Sequence, residues 1–515
     1  VADTQPRTTL NGVTAATSIP GLRSSFEAAL QAPRPLAPSR GPETVAGPAA
    51  LPAQQTSAGV LPVSFEALSE LRGQVAGALS DRVRDDAITE ADRQQLGWQL
   101  VVEVVATWAT DYSAKRAPLT AEQEQLIRRA VFDDLFRAGR LQPLLDDPGA
   151  EDIRINGSEP VEVVYQDRPI ARLAPIVASD AELVELVNQL ARTQGQGERS
   201  LSPASPLLRM RLRDGSRLTA SYLVTPRPQV VIRKHRLRDT RLDQMVAWGS
   251  IDTVLAEFLK ALVRARKNVF VVGGQGAGKT SLLRSMSREI QPGERIGTLE
   301  SEYELWLHEL PGPGPQVVPF EAREGNGEKD ATGRMLGELT LADLFPHLQR
   351  MSLRRILVGE VRSVEVLPML HGMIEGEGGS MCTVHARSAR AAIERVATLV
   401  LEAGIGMSVE LAYRLIAEAC QFIVYLRQVD ETEIGGKRHR FVAEVLEITG
   451  LGEGGRPSVQ RIFAPKEEGG RREPRAVPQQ MPACIDDLVR VGFQREWLTL
   501  PFGSWATELK TVTSL

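Results

Sequence analysis

The 515 residues carry 42% hydrophobic and 24% charged side chains with a mean hydropathy of -0.16, apolar material for about three folded units. That excludes one small module and wholesale disorder, and 65 acidic against 61 basic residues, a net charge of -4, exclude a protein that coats nucleic acid. The three cysteines, Cys382, Cys420 and Cys484, lack CxxC spacing and suit a reducing compartment. No apolar run approaches the about 18 residues of a membrane helix. The opening residues show no charged segment followed by an apolar one, so no export signal is expected. A cytoplasmic protein is predicted, with any membrane association peripheral.

Residues 1–63 are crowded with Pro, Ala, Ser, Thr and Gly and are expected to form a disordered arm. Over 64–139 apolar residues recur at helical spacing: Phe65, Leu68, Val75 and Leu79, then Leu96, Leu100, Val101, Val104, Val105 and Trp108. Thr120 and Gln123 make a capping box ahead of Leu126 and Ile127, and a helical bundle is predicted. Over 140–248 short β-branched runs at 152–155, 161–165 and 229–232, separated by Asn-Gly, Asp-Gly and Pro-rich turns, predict an α/β domain. Over 249–450 strands alternate with helices, which implies a mainly parallel sheet covered on both faces. Ile393, Val396, Ala397 and Val400 supply one core-facing stripe of that domain. Residues 451–515, rich in Gly, Pro and charge to about Pro482, are expected to be a linker and C-terminal tail, and Lys437-Arg438-His439-Arg440 beside Gly435-Gly436 a solvated hairpin.

The segment Gly273-Gly274-Gln275-Gly276-Ala277-Gly278-Lys279-Thr280, followed by Ser281, fits G-x-x-x-x-G-K-[ST] between an apolar strand and a helix. Its glycines let backbone N–H groups curl round phosphate oxygens, Lys279 neutralises their charge, and the Thr280 hydroxyl is a magnesium ligand. ATP and Mg2+ are therefore the expected ligands. Hydrolysis also needs a carboxylate near the γ-phosphate. Glu360 and Glu300 each end an apolar strand, where α/β sheets place their ligands, and are the candidates for catalysis and for magnesium. His385, at the end of a third strand, is a candidate sensor of the γ-phosphate, with a purely structural role as its rival.

These residues resemble a family. GGQGAGKT, TLESEYEL (Thr298 to Leu305), ILVGEVRS (Ile356 to Ser363) and GGSMCTVHARSA (Gly378 to Ala389) look like, in order, the Walker A, aspartate, Walker B and histidine boxes of the type II/IV secretion and pilus-assembly ATPases. LLDDPGAEDIRING (Leu144 to Gly157), RLRDGSRL (Arg211 to Leu218) and VVIRKH (Val230 to His235) are similar to the CpaF-like, tight-adherence pilus branch. The resemblance implies an α/β fold: a P-loop NTPase (RecA-like) C-terminal domain, a smaller α/β N-terminal domain and a preceding helical bundle. It implies ATP hydrolysis in a ring, a hexamer, acting with an inner-membrane platform protein of a pilus or secretion machine. In the dense run Arg233-Lys234-His235-Arg236-Leu237-Arg238 it marks Arg233, with Arg217, as a phosphate contact from the N-terminal domain, and Arg362 as an interface candidate. Sites shared between domains, and between subunits, are expected. Where the family has Glu-Asp this chain has Glu300-Ser301, and Ser352-Leu353-Arg354 replaces Arg-Pro-Asp. An ATP-binding scaffold and a motor for conjugative DNA transfer are the alternative readings.

Overall fold

Ser64, Thr89 and Thr120 adopt extended backbone angles, and each side chain accepts the N–H three residues on, at Ala67, Asp92 and Gln123. Each thereby satisfies a donor that the helix start leaves free. The helices they begin are α1 (Phe65–Arg82), α2 (Glu90–Ser113) and α3 (Ala121–Phe136), which bury Leu71, Val75, Val101, Val105, Ile127 and Val131 against one another. The computed structural model describes residues 63–83, 88–194, 200–234, 239–325, 330–331, 333–404 and 406–513. The expected disordered arm, through residue 62, lies outside the described residues, as do residues 235–238 of the basic run.

The short helix α4 (Gln142–Asp146) leads into β1 (Ala150–Asn156), β2 (Val161–Tyr165) and β3 (Ala171–Leu173). Helix α5 (Asp180–Gln194) follows, then β4 (Leu207–Arg211), β5 (Arg217–Ser221) and β6 (Gln229–Arg233). The six strands form one antiparallel sheet in the order β3-β2-β1-β6-β5-β4. Leu183, Val187 and Leu190 of α5 pack with Ile153, Ile155, Val230 and Ile232 of the sheet. Register places Arg233 opposite Asp152 on one side and opposite Arg217 on the other. The two arginines named by the sequence therefore leave the same end of the sheet.

After α6 (Leu242–Ala247) and α7 (Thr253–Arg264), β7 (Val269–Gly273) enters a second sheet, followed by α8 (Lys279–Ser287), β8 (Arg295–Glu300) and β9 (Gln316–Glu321). Next come α9 (Leu341–Gln349), β10 (Arg355–Val361), α10 (Val366–Glu375), β11 (Met381–His385), α11 (Ala389–Ala403), α12 (Val409–Ala419) and β12 (Phe422–Asp430). Every residue of β7 is buried, and its alternate side chains serve opposite faces. Val269 and Val271 join α7 and α8 in one core, while Phe270 and Val272 join α9 to α12 in the other. That is how a parallel strand covered on both sides must read, as an unbroken apolar run. The mainly parallel sheet with helices on both faces is thus present, its parallel part in the order β12-β7-β11-β10-β8-β9.

The linker expected after residue 450 is corrected by this sheet. With β13 (Arg438–Leu451), strands β14 (Pro457–Glu468) and β15 (Arg471–Pro478) extend it antiparallel beyond β12. Composition misled because it counts a buried ion pair like a solvated one. Glu473 and Arg475 are 0% and 6% exposed and bond each other at 2.6 Å, flanked by buried Ala476 and Val477. Helix α13 (Ile485–Arg490) then packs on α7, where Phe493 meets Phe258 edge-on at 5.5 Å between ring centroids. Asp252 caps the start of α7 by accepting the N–H of Leu255, and it also accepts the N–H of Ser504 at 2.6 Å. Gly503, with φ of +57°, makes this approach: a Cβ there would collide with the Asp252 carboxylate. Among the described residues no helix is long and apolar enough to cross a membrane.

Candidate active site

The phosphate loop follows β7 and begins α8. Gly276 and Gly278 have φ of +72° and +95°, a backbone that side chains resist, and a Cβ at Gly273 would come 2.6 Å from the Leu426 carbonyl. No side chain caps the first turn of α8, which leaves its N–H groups for an anion. Lys279 is 7% exposed, and its Nζ donates to the Gly274 carbonyl at 2.9 Å and to His385 Nδ1 at 3.1 Å. Burial lowers its pKa to about 8 against the pull of Glu360 and Glu304. A buried ammonium so depressed fits an incoming phosphate, whose charge would stabilise it.

Strands β10 and β11 lie side by side with Val361 opposite Val384, which brings Glu360 to His385. His385 Nε2 is 2.8 Å from Glu360 Oε1. Because Lys279 donates to Nδ1, the ring proton is assigned to Nε2, and Lys279, His385 and Glu360 stand in one unbroken run of close polar contacts. Arg362 donates to the other Glu360 oxygen. Burial works to raise the Glu360 pKa, but the hydrogen bonds and charges of His385 and Arg362 outweigh it and hold the carboxyl at about 2.

Glu300 does not enter this cleft. Its carboxylate is 1% exposed and accepts the N–H groups of Glu304 at 2.8 Å and Leu305 at 2.7 Å, so it shapes the turn after β8. The carboxylate delivered to the loop is Glu304, which accepts the Thr280 hydroxyl at 3.0 Å. Arg217 reaches the same turn from β5, donating to Glu304 and, at 2.8 Å, to the Glu302 carbonyl. The sequence did not single out Glu304; its signal is the alternating run of acids Glu300, Glu302 and Glu304. Arg233 lines the cleft while paired with Asp152 at 3.1 Å. Both arginines make these contacts within one chain.

Burial raises the Glu300 pKa from its ordinary 4.5 to about 7, opposed by the two N–H donors. A carboxyl raised on folding stabilises the protein below pH 4.5 and loses that contribution as pH rises through 7, about 3 kcal/mol. Glu300→Gln keeps an acceptor for both N–H groups and removes the titration. Urea unfolding should therefore favour the variant over the parent by about 3 kcal/mol more at pH 8 than at pH 4. An equal difference at both pH values would refute this account of Glu300.

The solvated hairpin expected at 437–440 is also corrected. Arg438 and Arg440 bond Glu151 of β1 at 3.2 and 2.9 Å, and Arg438 bonds Asp430 at 2.7 Å. They tie the two sheets together and help enclose a cleft of about 690 Å³. Arg233 and Lys234 line it from one sheet, and Lys279, Glu304, Glu360 and His385 from the other. That volume suits a nucleotide. Among the described residues no cluster of three or more His, Cys, Asp or Glu could hold a metal alone. A cation here would share its coordination with phosphate oxygens, as magnesium does in such sites.

Residues 207–470, more than half of the chain, match the family model described as Type II/IV secretion system protein. A Mycobacterium tuberculosis protein named for conjugal transfer is 32% identical over 269 residues, 50% of this chain and 72% of that protein. The type IV secretion system protein VirB11 of Brucella suis is 26% identical over 340 residues, 60% of this chain and 89% of that protein. An uncharacterized protein of Methanocaldococcus jannaschii is 27% identical over 288 residues, and this chain spans about half, 49%, of its length. Among solved structures, the Brucella suis VirB11 ATPase in complex with sulphate has 24% identity and a TM-score of 0.31, covering 63% of this chain and 96% of that one. The Legionella pneumophila ATPase DotB has 20% identity and a TM-score of 0.43, covering 61% and 80%. With its phosphate loop and ordered boxes inside the matched region, the chain belongs to the type II/IV secretion system protein family.

Proposed function

We propose that this protein hydrolyses ATP with Mg2+ as a hexameric ring of the CpaF-like, tight-adherence pilus branch. It works at the cytoplasmic face of the membrane against an inner-membrane platform protein. One observation supports the hydrolytic reading: Lys279, His385 and Glu360 stand in polar contact at the mouth of the phosphate loop, Lys279 Nζ 3.1 Å from His385 Nδ1 and His385 Nε2 2.8 Å from Glu360 Oε1. Lys279 and the first turn of α8 bind phosphate oxygens. Thr280, Glu304 and Glu360 are the residues that would hold magnesium, which when bound neutralises phosphate charge. Glu360, kept anionic, orients a water, and His385 couples its position to that of Lys279. Arg217 and Arg233 bring positive charge from the other sheet, so that bound ATP draws the two sheets together.

The test is phosphate release from Mg-ATP by the purified chain. Lys279→Ala should weaken ATP binding by about 10² or more, the scale of a charge-assisted contact removed from a buried site. No release by the parent chain, or full ATP affinity in Lys279→Ala, would overturn the reading. The name of the mycobacterial relative favours a second one, transfer of DNA. In that case double-stranded DNA, and not a membrane partner, would accelerate turnover.

A further inference from the structure

Residues 503–513 run back along the P-loop domain and reach the cleft, lying beyond the region matched to the family. They are held at two places. Near Ser504, the Trp505 ring lies under the Arg475 guanidinium at 3.6 Å and its carbonyl accepts from Arg471 at 2.9 Å, while Arg475 also donates to the Thr507 carbonyl at 2.7 Å. Farther on, Glu431, 2% exposed at the end of β12, accepts the N–H groups of Val512 at 2.9 Å and Thr513 at 2.8 Å and the Thr513 hydroxyl at 2.6 Å. Between these holds, Leu509 lines the cleft.

The register of β12 shows which end Leu509 occupies. Gly273 of the phosphate loop lies opposite Leu426, and farther along the same strand Gln428 and Asp430 lie opposite Arg440 and Arg438. The cleft thus extends from the loop toward the hairpin where Glu431 holds the tail. Trp248, 49% exposed, lines this end. Its neighbour Ser250 accepts from Val442 of β13 at 2.9 Å, and a Cβ on Gly249 would lie 3.9 Å from Arg475 Nη1. The arginines here are matched by carboxylates: Arg438 and Arg440 by Glu151, and Arg475 by Glu473. With Arg438, Arg440 and Arg475 each paired, Trp248 and Leu509 are the large apolar side chains this end offers beside Arg154, an arrangement that suits a flat base better than a second phosphate group.

Resting on the nucleotide reading above, we propose that this end of the cleft binds the nucleotide base, with Trp248 and the tail residue Leu509 as its apolar walls. The C-terminal tail is then part of the nucleotide site. Binding of ATP and of inorganic tripolyphosphate, each with magnesium, tests this in the full chain and in Trp248→Ala and Leu509→Glu. ATP should bind about tenfold or more weakly in each variant, the scale of one lost stacking contact, with tripolyphosphate unchanged. Unchanged tripolyphosphate affinity also shows that the variants are folded. Hydrogen exchange in 503–513 should slow with ATP and not with tripolyphosphate. Unchanged ATP affinity in both variants, equal weakening for both ligands, or a parent chain that binds tripolyphosphate as tightly as ATP would overturn the base site and leave phosphate binding standing. A parent chain that binds neither would overturn the nucleotide reading itself.

Discussion

Glu360→Gln should bind ATP with near-parental affinity and release phosphate at least about 10²-fold more slowly, the loss seen when one preorganised polar contact to a transition state is removed. The amide keeps the shape of the side chain and an oxygen for His385 Nε2. It gives up the negative charge that Arg362 and His385 hold in place. Because that carboxyl is held at about 2, it is ionised above about pH 4, so its own protonation should leave no step in the rate there. Single-turnover phosphate release on saturated protein separates chemistry from binding. Parental rates in Glu360→Gln would show that the carboxylate is not part of the reaction.

Arg217→Ala should lower turnover by about 10³, within the range for an arginine that meets transition-state charge, while ATP affinity changes little. The guanidinium crosses from β5 to the turn that carries Glu304, and Glu304 in turn holds Thr280. Deleting it both removes positive charge and takes one partner from the carboxylate that meets the loop. Since these contacts lie within one chain, mixing Arg217→Ala with Lys279→Ala protein should restore no activity. Recovered activity in mixed rings would show that Arg217 serves a neighbouring subunit, as the family resemblance had suggested.

The phosphate loop was legible because its chemistry is local: eight consecutive residues specify the turn, the helix start and the lysine. Glu360 and His385 were legible as strand ends, but their pairing depends on β10 and β11 being neighbours. Glu300 was named in place of Glu304, because a strand end marks where ligands gather but not how the turn after it folds back: Glu300, last in β8, is buried, and Glu304 in that turn meets the loop. Arg438 and Arg440 looked solvated for a related reason: their partner Glu151 lies 287 and 289 residues away in the chain. In β15 the pairing of Glu473 with Arg475 hid a strand behind a charged composition.

The bond from Ser504 to Asp252 has a consequence for synthesis. Asp252 starts the helix that precedes the phosphate loop, and it is buried in the finished protein, where burial raises its pKa against the donors that hold it. A ribosome adding residues from the N-terminus exposes that helix, the loop and β12 long before residue 504 emerges. Until then the cap of α7 lacks one of its donors, and β13 lacks the strands beyond it. The antiparallel sheet and the helical bundle emerge with their cores complete, whereas the ATP-binding domain gains its last contacts with Asp252 only when residue 504 emerges. Long-range closure of this kind slows folding, and a nascent chain stalled before residue 504 would be a client for chaperones rather than a working nucleotide site.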